Sequence, residues 1–135
     1  MNESRIFTVV GSMMYPFLLI FGFYIVIHGD LSPGGGFQGG VLFSTAFFIR
    51  YLLDKKDPFD IKLLARFEKL LYIVILMYIS FSLITKGELF TNFIVEKGSY
   101  SHRVFLVGLN FLIGLKVTSG VILVISAYIE EGDEE

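Results

Sequence analysis

The stretch from Ile6 to Ile27 contains no charged residue. In water that much continuous apolar surface needs a large core to cover it, and a chain of 135 residues makes a single domain. A helix that crosses a bilayer needs about 20 mostly apolar residues, and this stretch meets that length. The h-region of a cleaved signal is shorter, and no small-x-small site closes the run. Pro16 removes one backbone hydrogen bond inside the segment and predicts a kink. The composition agrees with a membrane environment: 54% of residues are hydrophobic and mean hydropathy is +0.70.

Three more segments fit the same solvent. Gly36 to Leu53 is shorter, with Arg50 near its end placed to snorkel. Leu70 to Thr85 is completed by a turn from the preceding "ARFEK", and Val104 to Ile129 is the longest. Lipid offers the backbone no hydrogen bonds, so each segment must be a helix. The expectation is one all-α domain over residues 1–135, an integral membrane protein with four transmembrane helices at about 6–27, 36–53, 67–85 and 104–129.

The connections carry the charge. In "DKKDPFDIKLLARFEK", residues 54–69, Asp57 and Pro58 read as an N-cap and first helical position. Ile61, Leu64, Phe67 and Leu71 follow at helical spacing, with Lys62, Arg66 and Lys69 on another face. This is either a short interfacial helix or the solvated start of the third span. Arg5, Arg50, Lys55, Lys56, Lys62, Arg66 and Lys69 share one side of the membrane, against Lys86, Lys97 and Arg103 on the other. The positive-inside rule then predicts a multi-pass cell-membrane protein with both termini cytoplasmic. Tyr24, Tyr51, Tyr72 and Tyr128 fall near span ends, as an aromatic belt would.

Several chemistries are excluded. A net charge of −2 gives no basic field for nucleic acid. Without cysteine the chain offers no disulfide, thiolate metal site or iron–sulfur ligand. His28 and His102 are too few to build a histidine metal site. No cofactor, metal or catalytic residue is assigned.

Lys116, in "NFLIGLKVTSGVILV", is the sharpest single position. It sits near the middle of the fourth span, where an ionisable group costs at least ~2.5 kcal/mol on insertion scales. Such a lysine either relays protons and sets a local field, or bonds a neighbour and fixes assembly. No aspartate or glutamate interrupts the four apolar runs, so the expected counter-ion lies on another subunit. Asn110 is about 120° around the helix from Lys116 and is expected to bond another helix.

The glycine-rich "HGDLSPGGGFQGG", residues 28–40, is neither a P-loop nor a dinucleotide fingerprint. Gly35-x-x-x-Gly39 and Gly36-x-x-x-Gly40 are overlapping small-residue motifs for close helix approach. Ser32 and Pro33 are placed to start the second helix; alternatively residues 33–36 stay irregular and bind water or an ion. Gln38 is the candidate there for a polar contact between helices. His28 is placed to titrate near neutral pH, although a solvated histidine is the plainer reading for it and for His102.

The glycine stretch together with "GLKV" in the last span resembles the MnhB/MrpB family, small four-helix subunits of multisubunit sodium/proton antiporters. Relatives of that subunit occur in membrane arms of energy-converting respiratory complexes of the hydrogenase and sulfur-reductase types. The resemblance covers nearly the whole chain and rests on His28, Pro33, Gly34, Gly35, Gly36, Phe37, Gly39, Gly40, Gly114 and Lys116. It implies other membrane subunits and the lipid bilayer as partners, with Na+ and H+ as transported ions. Ion-translocation candidates are then Lys116, His28, Gln38 and Asn110. Helix-packing candidates are Gly35, Gly36, Gly39, Gly40, Gly114 and Gly120. Antiporter members often place Gly-His before the loop, whereas here His28 precedes Gly29. Two other readings stand beside this one: a structural spacer without conduction, and a small homo-oligomeric channel with a ring of Lys116 side chains.

Overall fold

The computed structural model describes residues 5–31, 33–54, 60–86 and 100–133, leaving aside the side chains of 54, 82–86, 100–102 and 131–133. Four helices account for nearly all of them: α1 (Arg5–Ile27), α2 (Gly36–Asp54), α3 (Ile61–Lys86) and α4 (Tyr100–Asp133). The protein is all-α. Two segments, Arg5–Ile27 and Arg103–Glu130, are long and apolar enough to cross a membrane. Helix α2 has only 19 residues, and α3 places Lys62, Arg66, Glu68 and Lys69 in its first turns.

At the start of α2 the irregular alternative holds, and the start of α3 differs from the sequence reading. Helix α2 begins at Gly36, not at Pro33, and Ser32 lies outside the described residues. The backbone passes through φ +145° at Gly34 and +111° at Gly35. A side chain rarely adopts those angles, and a helix cannot include them. Helix α3 begins at Ile61, about a turn and a half before residue 67. Asp60 caps it, its Oδ1 accepting from the backbone N–H of Lys62 at 2.9 Å and of Leu63 at 3.3 Å. Asp57 and Pro58 lie outside the described residues. From Ile61 the helix runs unbroken to Lys86, so "IKLLARFEK" is the start of the third helix and not a separate interfacial one.

Small residues set the packing. Helices α1 and α2 form an antiparallel hairpin in which Val26 lies over Gly39 and Phe43 lies over Gly22. Helix α2 then lies parallel to α4: Gly36 faces Asn110 and Ile113, and Gly40 faces Gly114 and Val117. At Gly40 a Cβ would fall 2.6 Å from the Gly114 carbonyl oxygen and 2.7 Å from Val117 Cβ. Glycine removes that obstacle, and backbones approach as small-residue motifs allow. Val26, Phe43, Ser44 and Ala46 are buried in this three-helix contact. Among the described residues, helix α3 packs on α4 alone.

The outer surface is apolar. On α1, Ile6, Met13 and Ile20 are 75%, 70% and 72% exposed, and their spacing of two turns makes one stripe. On α3, Leu63, Leu70, Ile73 and Met77 are also exposed. A water-soluble fold would not leave such stripes uncovered. A lipid or subunit environment accounts for them.

Candidate functional site

Lys116 has a counter-ion within its own chain. Its Nζ donates to Glu68 Oε1 across the α3–α4 contact, and the two form an ion pair. The sequence expectation of a partner only on another subunit is therefore corrected. Glu68 looked like part of a solvated connection, but α3 starts early enough to carry it two turns into a continuous helix. Tyr78 and Phe105 make a second α3–α4 contact, with stacked rings 4.9 Å apart and the Tyr78 hydroxyl donating to the Phe105 carbonyl at 3.3 Å. From Glu68 to Tyr78 and from Phe105 to Lys116 is about three turns in each helix. The two contacts thus hold α3 and α4 in one antiparallel register.

The pair is partly covered. The Lys116 side chain is 31% exposed and that of Glu68 is 23% exposed. The Lys116 Nζ also lies 5.5 Å from the centre of the Tyr72 ring, a cation–π arrangement. Tyr72 sits three turns into α3 beside the charge. The hydroxyl of buried Ser119 lies 3.0 Å from the carbonyls of both Leu115 and Lys116, so its proton stays within α4. Chemically, the arrangement holds an acid and a base in contact inside an apolar helix pair, with one edge open to a neighbour.

A second polar cluster ties the glycine loop to the first half of α4. Asn110 Oδ1 accepts from the Gly36 N–H at 3.3 Å, satisfying one of the free donors at the start of α2. Asn110 also fills the space beside Gly29 and Gly35. Seven residues before it on the same face of α4, Arg103 Nε lies 3.3 Å from Asp30 Oδ2. Asp30 is buried, its side chain only 7% exposed, whereas that of Arg103 is 45% exposed. Sequence reasoning passed over Asp30 because it reads as a loop aspartate next to glycine.

The remaining candidates scatter. The His28 ring stacks on Tyr24 at 4.3 Å, and its Nδ1 lies 3.0 Å from the Tyr24 carbonyl oxygen. That oxygen can only accept, so Nδ1 carries the proton. Gln38 is exposed and folds over Gly34, about 200° around α2 from the Gly36–Gly40 face that meets α4. Its predicted contact with another helix is absent among the described residues. Gly35, Gly36, Gly39, Gly40 and Gly114 each face another element, but a Cβ at Gly120 would meet nothing within 4 Å. The side chain of His102 lies outside the described residues. Lys116 and Asn110 thus occupy two separate clusters.

No solved structure matches this chain. It is similar to a protein of Staphylococcus saprophyticus subsp. saprophyticus named "Putative antiporter subunit mnhB2", with 41% identity over 61 residues, covering 45% of this chain and 39% of that protein. Proteins of the same name from Staphylococcus aureus strains Newman and NCTC 8325 are 43% identical over 51 residues, covering 38% of this chain and 36% of theirs. The matched stretch thus spans well under half of these relatives. A family model described as "Domain related to MnhB subunit of Na+/H+ antiporter" matches residues 6–123. That range takes in the glycine loop and both members of the α3–α4 ion pair, and the chain belongs to the MnhB family.

Proposed function

We propose that this chain is an accessory, non-catalytic membrane subunit of a multisubunit monovalent cation/proton antiporter module, with four helices crossing the bilayer and both termini in the cytoplasm. The observation that carries this reading is the Lys116–Glu68 pair, a charged couple placed between two helices of a family member. An ion pair set in apolar surroundings is expensive, and in membranes such residues mark ion paths or proton relays. Its partly open edge faces whatever subunit covers α3. Glu68 serves there as the proton acceptor. Lys116 supplies the positive charge that is held when Glu68 is ionised and left unpaired when Glu68 is protonated. Sodium ions near that edge meet a neutral pair in one state and a bare cation in the other, which is the elementary requirement for exchanging Na+ against H+.

Lys116→Ala in the assembled complex tests the reading. Sodium transport is expected to be lost while the subunits still co-purify. Unchanged transport in an intact complex would reject it and favour the spacer reading. Co-purification of an iron–sulfur or nickel subunit would place the module in a respiratory arm; its absence, with transport intact, would indicate a stand-alone antiporter.

The orientation has its own test. The chain has no cysteine, so Leu31→Cys introduces a single thiol at an exposed loop position. A membrane-impermeant maleimide should label it from outside intact cells. Labelling only after the membrane is opened would reverse the orientation.

A further inference from the structure

Asp30 is a buried carboxylate with one oxygen bound and one oxygen bare. Oδ2 faces Arg103, while Oδ1 is buried without a hydrogen-bond partner among the described residues. An ionised carboxylate accepts at both oxygens, and leaving one desolvated and empty is strongly unfavourable. That oxygen is buried, in the same α1–α2 connection whose backbone takes positive φ at Gly34 and Gly35. Among the described residues, the charged group in contact with it is Arg103 on α4.

We propose that Asp30 is a binding residue for a desolvated monovalent cation, taken up on Oδ1 at the loop end of the α1–α2–α4 bundle. This inference is independent of the role given to Lys116, which lies in the other cluster. One carboxylate that already shares its charge with Arg103 has one oxygen to offer, which suits a singly charged ion. The arriving cation and the Arg103 guanidinium are like charges on one carboxylate, so they compete. Binding therefore loosens the Asp30–Arg103 contact, which Arg103, nearly half exposed, has room to release.

The competition gives the test opposite signs at the two positions. The readout is the rise in melting temperature of the purified full-length protein, or of its complex, as NaCl replaces N-methyl-D-glucamine chloride at constant ionic strength. The wild type should show a saturable rise. Asp30→Asn, which keeps the shape and removes the charge, should abolish it. Arg103→Gln should lower the half-saturating sodium concentration about tenfold, since it removes a like charge a few ångströms from the ion. A fastening salt bridge alone predicts that both variants merely destabilise and that neither changes the sodium response. If Asp30→Asn does not fold, Arg103→Gln decides by itself. An unchanged or weaker sodium response in that variant overturns the proposal, as does a wild type with no sodium-specific rise. Loss of sodium transport in Lys116→Ala with this response intact would show that the two clusters act separately.

Discussion

Gly36→Ala should force α2 away from α4. A methyl group at this position would overlap the Asn110 carbonyl oxygen and lie 2.8 Å from Ile113 Cβ. The oxygen belongs to the backbone of the central helix, so no rotamer change relieves the clash. Helix α2 must move as a body, and with it the hydrogen bond from the Gly36 N–H to Asn110. Overpacking of this kind costs about 3 kcal/mol, the upper part of the usual range, because the obstacle is main chain. Gly36 is the first residue of α2, so alanine's better propensity returns less than the interior value of about 1 kcal/mol. The net loss of at least about 2 kcal/mol is a large share of the stability of a small domain. Gly120→Ala is the matched control. Open space surrounds it, so only the propensity gain remains and stability should rise by up to about 1 kcal/mol. Thermal melting in detergent checks both signs. A Gly36→Ala protein that melts no lower than the wild type would refute the close-packing account.

The same contrast shows what a sequence can and cannot disclose about this fold. The helices were legible because lipid forces the backbone to bond within each segment, so apolar length alone marks them. The close-packed glycines were legible where two of them recur four residues apart, as Gly36 and Gly40 do. Gly120 has neither a partner glycine in that spacing nor a neighbour in space, and its inclusion shows that a small residue in a span is not by itself a contact. Glu68 is hard to single out because it stands in a dense run of charge, which resembles a solvated connection. The apolar residues of α3 at helical spacing, starting at Ile61, already carried the helix past it, and that signal would have placed it opposite Lys116. Asp30 was illegible for another reason. Its burial comes from α4 folding over the loop, a long-range event to which no local pattern points. The start of α2 depended on two glycines adopting positive φ, which the sequence permits without requiring.

Breaking the Lys116–Glu68 pair from one side should cost more than removing it altogether. Lys116→Met leaves the Glu68 carboxylate among apolar helix faces with its donor gone. Glu68→Gln leaves the Lys116 ammonium with only the Tyr72 ring and a weak amide acceptor. Loss of one partner of a buried pair costs 3–5 kcal/mol, while replacing both by uncharged groups is often close to neutral. Here both side chains retain some exposure, so each single variant should lose about 2 kcal/mol and the double variant under about 1 kcal/mol. Melting of the four proteins in a double-mutant cycle gives the coupling directly. If the true counter-ion of Lys116 were a carboxylate on a neighbouring subunit, the two single effects would simply add. Transport separates structure from function in the same set. The double variant recovers most of the stability but has no charge to present and no proton to accept, so its sodium transport should stay lost. A double variant that assembles and transports like the wild type would reduce the pair to a fastening between α3 and α4.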